Sequence, residues 1–283
     1  MLANSKSERL QRIVLFFIVL FGAVIMMYPL IWMLASSFKP EQEIFRNLGL
    51  WSDNFTFENY IKGWQGVAGI GFSRYFVNSI IVVTLNVIGN IVTCSMTAYA
   101  FARLNFSFKG IFFGMMMATV MLPHHVTLIP RYIIFDRLGW INTFLPLTVP
   151  AFFATQSFFI FLLVQFMRGI PKELDDAAIV DGCTPWQIYW KIIMPLSVPA
   201  LVTTTLFTFI WTWNDFFGPL IYLQSPIKYT VALGLRSFAD ATSQSAYGQL
   251  FAMSIVSLVP VFIFFVFFQR LLIEGIATTG LKG

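Results

Sequence analysis

The stretch Ile170–Pro199 reads IPKELDDAAIVDGCTPWQIYWKIIMPLSVP. It holds Lys172, Glu173, Asp175, Asp176, Asp181 and Lys191 between two long, almost uncharged segments. So dense a polar island cannot lie in lipid, where charges are costly and irregular backbone goes unpaired, so it faces water beside a membrane. The residues predict two short helices and a tight turn. Pro171 suits a first helical turn, and the acids behind it favour a helix N-terminus. Asp181-Gly182 stops that helix, because glycine adopts the left-handed conformation cheaply. Thr184 caps the second helix, with Pro185 at its first position and Gln187 at its third, a capping-box pattern. Pro195 closes it.

Leu174, Ala177 or Ala178, and Asp181 recur on one face of the first helix. The alanines keep that face low enough for another protein's backbone to approach. The plainer reading is a loop that only joins two spans, and the residues alone leave both open.

Composition fixes the class. Apolar residues make up 58% of the 283 and charged residues 11%, with a mean hydropathy of +0.76. An ordinary soluble domain carries about 25% charged residues. The chain is therefore an integral membrane protein, and the apolar runs along it, given below, make the expected fold class all-α, polytopic, with six transmembrane helices. The formal charge of +5 suits loops beside anionic lipid and gives no reason to invoke nucleic acid. Cys94 falls in a span and Cys183 in the polar island, so no disulfide is expected, and no CxxC or His-rich set points to a metal.

Along the chain, residues 1–12 form a short basic N-terminus. Spans are expected at about 13–35, 76–102, 110–135, 142–166, 196–223 and 249–273, each long enough to cross a bilayer. The polar loop covers 168–195, and 274–283 is a tail. The first run is too long for a cleavable signal core and is expected to be retained. Residues 36–75 form a polar segment whose Trp51, Phe55, Phe57, Tyr60 and Trp64 anchor a short interfacial helix. Asn78, Asn86 and Asn90 lie near one helical face and should turn into the bundle, since amides in lipid seek partners. Pro123 and Pro130 break helical hydrogen bonding, so the third span is kinked or interrupted there. His124 and His125 there are about 100° apart on a helix, which disfavours a shared metal. In the fifth span, Trp211, Trp213, Asn214 and Asp215 join aromatic faces to hydrogen-bonding groups. That combination suits a sugar cavity, or equally a structural network at the membrane surface.

The spacing Asp176-Ala177-Ala178, three residues, Gly182, nine residues, Ile192, then Met194-Pro195 resembles the EAA signature of the membrane subunits of bacterial ABC importers. Asp176 stands where that pattern has Glu and Met194 where it has Leu, and both keep the chemical type. The words SSFKP, FTFENY, MLP…IP, Trp213-Asn214 and SPIKYTVALGL extend the resemblance over most of the chain, to MalG-type carbohydrate permeases.

The resemblance implies an ATPase-coupling role for Asp176, Ala177, Ala178, Asp181, Gly182, Ile192 and Pro195. It implies a second permease subunit forming a heterodimer, two ATPase subunits and an extracytoplasmic solute-binding protein. The 36–75 loop would help dock the last of these, and the tail would reach the ATPases. It also sets the orientation, with both termini cytoplasmic, because Lys and Arg divide almost evenly between the two sides. Asn86, Asn90, Trp211, Trp213, Asn214 and Asp215 are the candidates for the solute path. The sequence holds no phosphate-cradling Gly-x-x-x-x-Gly-Lys word and no nucleophile–base–acid set. No cofactor or catalytic residue is therefore expected, and ATP would be bound by partner subunits. Two other classes remain: an ion-driven secondary transporter, which wants more intramembrane acids and bases, and a non-transporting scaffold, which has no use for the polar loop.

Overall fold

The computed structural model of the protein describes residues 6–239 and 246–280. The side chains of 6–8, 124, 125 and 270–280 are outside that description, so the expectations for His124, His125, residues 1–5 and the tail side chains fall outside the described residues. All regular structure among the described residues is helical. In chain order the helices are α1 (Lys6–Ser37), α2 (Glu58–Gln65), α3 (Phe72–Arg103), α4 (Lys109–Val120), α5 (His124–Arg137), α6 (Leu145–Thr148), α7 (Ser157–Arg168), α8 (Glu173–Val180), α9 (Pro185–Ile188), α10 (Met194–Leu196), α11 (Val198–Trp213), α12 (Phe217–Tyr222), α13 (Val231–Ala239) and α14 (Tyr247–Gly280).

Four stretches among the described residues are long and apolar enough to cross a membrane: Arg9–Ser37, Phe72–Arg103, Leu145–Arg168 and Tyr247–Gln269. A fifth is a bent pair, Pro185–Leu196 with Val198–Trp213, which meet at 76°. The expected third span divides into α4 and α5 at Met121–Pro123. Pro123 cannot donate a backbone hydrogen bond and starts α5 as its N-cap. The expected fourth span is α6, a 3₁₀ turn over Val149–Phe153, and α7 after a left-handed Ala154. The expected fifth span ends early, at Trp213.

The chain forms two compact units. The first comprises residues 1–72 and 235–257. Its α1 turns apolar side chains outward along nearly its whole length, so lipid or another subunit must cover it. At its end the chain is pinned by polar side chains. The Lys39 ammonium is buried and donates to the carbonyls of Asn47, at 2.8 Å, and Gly49. Asn59 donates to Ser37 O and Lys39 O at 2.9 and 2.8 Å. Glu43 accepts from Ser52 and Asn54. Glu41 accepts from the backbone N–H groups of Tyr247 and Gly248, both at 2.8 Å, where α14 begins and its orphan donors need an anion.

The second unit comprises residues 73–234 and 258–283. Apolar surface gives helices in lipid no reason to pair, so polar contacts and close packing do the work, at about 0.6 kcal/mol per interhelical hydrogen bond. Helix α3 supplies them. Asn78 donates to Ile227 O and Tyr229 O, both at 2.9 Å. Asn86 donates to Leu147 O at 2.8 Å, and Thr93 to Ala151 O at 3.0 Å. Gly89 lets α3 approach closely, since a Cβ there would lie 3.0 Å from the Ala151 carbonyl carbon. Cys94, Ala98, Tyr99 and Phe101 of α3 form one core with Phe159, Ile160, Leu163, Val164 and Met167 of α7.

Candidate functional site

The polar island folds as a hairpin of two short helices and a tight turn, as its residues predict, but Pro171 lies before the Lys172 N-cap and not at the first helical position. Helix α8 has Glu173, Asp175 and Asp176 in its first turn. It ends at Val180 with Asp181 as its C-cap, and Gly182 follows with a φ of +80°. Carbonyls of its last turn are closed by the backbone N–H groups of Asp181, Gly182 and Cys183, which donate to Ala177 O, Ile179 O and Ala178 O at 2.9–3.0 Å. Thr184 then caps α9 reciprocally. Its Oγ1 accepts from Gln187 N at 3.3 Å, and its own N donates to Gln187 Oε1 at 2.8 Å. The chain continues through a π-helical turn, Tyr189–Ile193, into α10 and bends at Ser197.

One side of this hairpin is buried and the other bare. Ala178, Ile188, Tyr189 and Ile193 enter the core formed by α3 and α7. Asp176, Ala177, Asp181, Gly182 and Pro195 are exposed, and Ile192 is half-buried. Beside them Val180 is 87% exposed and Trp186 56%. With Ile179, 60% exposed, they leave apolar surface bare on this short hairpin, and a grouped apolar patch is what a protein contact covers. Cys183 is half-exposed at the turn, whereas Cys94 is buried in α3.

Three side chains on α3 hold the hairpin, and the sequence reading singled out none of them for it. Ser95 Oγ and Tyr189 Oη share a hydrogen bond of 2.7 Å. Tyr99 Oη donates to Pro185 O at 2.9 Å. Arg103 Nη2 donates to Ile170 O at 2.8 Å, and its Nη1 lies 3.3 Å from Asp175 Oδ2. The arginine side chain is 3% exposed and the aspartate 16%. Burial raises the Asp175 carboxyl above its ordinary value, against the pull of Arg103. The spacing of four residues along α3 was the available signal.

The solute-path candidates separate by exposure. Trp211 is exposed and stacks on Phe159 with centroids 5.2 Å apart. Trp213 is buried against Phe76 and Phe209. Asn214 is exposed and its amide donates to Ile210 O in its own helix, at 2.8 Å. Asp215 Oδ1 accepts from Gly218 N at 3.1 Å, capping the start of α12. Asn86 has its amide engaged with Val82 O and Leu147 O, and Asn90 is buried 3.4 Å from Thr208 Oγ1. Asn86 and Asn90 thus have their amides in helix–helix contacts, Asn90 against α11 itself.

Residues 89–277, which include the whole hairpin, match the family described as binding-protein-dependent transport system inner membrane component. The arabinooligosaccharides transport system permease protein AraQ of Halalkalibacterium halodurans is 33% identical over 266 residues, covering 93% of this chain and 94% of that protein. The trehalose/maltose transport system permease protein MalG of Thermococcus litoralis is 30% identical over 278 residues, covering 98% and 99%. Among solved structures, the chain is similar to one in a bacterial ABC transporter involved in the import of the acidic polysaccharide alginate. The TM-score is 0.83 over 95% of this chain and 99% of that one, at 22% identity, which is a likeness of fold.

Proposed function

This chain belongs to the family of binding-protein-dependent transport system inner membrane components, and from that we infer that it is one of two membrane subunits of an ATP-driven carbohydrate importer. The carbohydrate class rests on relatives named for arabinooligosaccharides and for trehalose and maltose. The observation that carries the coupling is the hairpin itself, bare on one side and clamped to the spanning helices on the other. Asp176, Ala177, Asp181 and Gly182 form the face that seats in an ATPase subunit, with Ala178, packed into the core behind it, and Ile192 and Pro195 bracing it. Closure of two ATPases pushes this hairpin and tilts the spans, alternating access to a central cavity.

The remaining assignments follow from that reading. Residues 13–273 form the permease domain with six spans, α4 and α5 together making the third. Residues 1–12 and 274–283 face the cytoplasm. The other membrane subunit is a different permease, two ATPases bind all the nucleotide, and a solute-binding protein delivers cargo from outside. Trp211, Asn214 and Asp215 are the accessible members of the solute path. Trp213, Asn86 and Asn90 stand in the wall behind them. An ion-driven transporter is the weaker reading, because Asp215, the carboxylate nearest the path, caps α12.

Affinity purification of the tagged chain from its own cells tests this directly. An ATPase and a second permease come down together, and the reconstituted assembly takes up an oligosaccharide only with ATP and the solute-binding protein. Uptake by the purified chain alone, with no nucleotide, overturns the reading.

A further inference from the structure

We propose that Ser95, Tyr99 and Arg103 are positioning residues that transmit hairpin motion into the spanning bundle, making α3 the lever of the transporter. This rests on the coupling role given to the hairpin above. The three lie four residues apart and so form one stripe along a single helix. Each grips a different part of the hairpin. Arg103 holds its entry at Ile170 and its first helix at Asp175. Tyr99 holds the first residue of α9, and Ser95 holds the π-helical turn. A rigid helix that touches the entry, both short helices and the exit of a hairpin cannot stay behind when the hairpin moves.

The covalent route onward is built differently. Between Tyr189 and Ser197 the chain passes through a π turn, a form rare in helices and frequent at functional sites. The segments on either side of Ser197 meet at 76°. Ser197 is fully buried there, and its hydroxyl has no hydrogen-bond partner. Helix α11 is therefore joined to the hairpin through an elbow, and its Ala200 lies in the same apolar core as α3; what α3 alone adds is the polar clamp of Ser95, Tyr99 and Arg103. A displacement reaches α3 through those fixed contacts and reaches α11 through a bend.

The clamp also has spare capacity. Arg103 Nε and Nη1 and Asp175 Oδ1 are buried without hydrogen bonds. Arginine presents five donors in a fixed fork. A shift of α8 along the guanidinium exchanges one contact for another and leaves neither charge unpaired, so the grip persists as the hairpin moves.

The test uses the whole transporter in proteoliposomes, with ATPases, partner permease and solute-binding protein. Tyr99→Phe and Ser95→Ala each delete one hydroxyl. One hydrogen bond is worth a factor of about five in an equilibrium, so each variant is expected to raise the ATP hydrolysed per solute by up to about fivefold at unchanged subunit stoichiometry. Tyr189→Phe removes the same bond as Ser95→Ala, so the double variant should behave like either single one. Arg103→Lys, which keeps the charge and loses the fork, should uncouple likewise. Uptake and hydrolysis falling in step with the amount of assembled complex would reduce the stripe to packing and overturn the proposal. So would an unchanged ratio in the variants at all three stripe positions, Ser95, Tyr99 and Arg103. If the wild-type chain recruits no ATPase, the coupling reading itself falls, and the lever with it.

Discussion

Gly182 is where bulk and strain can be told apart. Its φ of +80° is a conformation in which any Cβ costs about 1–2 kcal/mol. A Cβ built there meets nothing within 4 Å, so a longer side chain projects outward from the hairpin rather than into the fold. Gly182→Ala should therefore keep most coupling. Gly182→Arg should insert and assemble normally yet hydrolyse ATP with little uptake. Vesicle assays of hydrolysis against transport separate the two, and normal coupling in Gly182→Arg would remove the docking face. Asn214 and Asp215 make a second pair of tests. Asp215→Ala loses the cap on α12 and about 1 kcal/mol of stability. Asn214→Ala loses only a bond within its own helix. A rise in the transport KM for Asn214→Ala, with unfolding temperature unchanged, marks solute contact; unchanged kinetics would leave Asn214 out of the path. The chemistry of these residues was legible in the sequence, but their partners were not. An intramembrane amide announces that it needs a hydrogen bond, and only the fold shows that Asn86 finds Leu147 and Asn78 finds the 227–229 carbonyls.

Individual elements were readable where a local rule sets them. The Asp181-Gly182 stop and the Thr184–Gln187 box depend on residues within a few positions of each other, and both form. Thr184→Ala should cost about 1 kcal/mol. Amide exchange over Pro185–Ile193 should quicken by roughly fivefold, following RT ln of that energy, while α7 stays protected. What was not readable depends on neighbours far along the chain. The 3₁₀ turn at Val149–Phe153 places the Ala151 carbonyl for Gly89 and Thr93, which lie some 60 residues earlier. The loop after α1 gives a pH prediction. Hydrogen bonds from Ser52 and Asn54, with the nearby Lys39 charge, hold the Glu43 carboxyl below its ordinary 4.5. A lowered carboxylate stabilises the fold above that value and loses its contribution as pH falls through the folded value. Exchange of the 43–54 amides, corrected for intrinsic rate, should accelerate below pH 4.5 in the wild type and lose that pH dependence in Glu43→Gln.

At the scale of the molecule, class was legible because 58% apolar residues with 11% charged leave few alternatives to a membrane. Helix count was less so, because several spans are assembled from pieces bent at proline or at 3₁₀ and π turns, and periodicity does not see a bend. Orientation is testable by labelling. A cysteine placed at Tyr60 should react with an impermeant maleimide added outside intact cells. Labelling only in inverted vesicles would reverse the topology. The long outward-facing apolar surface of α1 also means that the isolated chain should be held in detergent or lipid along about residues 13–35, a length set by the thickness of hydrocarbon to be crossed.

The placement of the two thiols has a practical outcome. Cys94 is walled in by the core and Cys183 sits half-open at the hairpin turn, next to Gly182. The native chain thus presents a single addressable handle at the spot whose movement matters most. A small thiol reagent applied there needs no cysteine-free version of this chain, and its rate of reaction reports the covering and uncovering of the turn as nucleotide is bound and released.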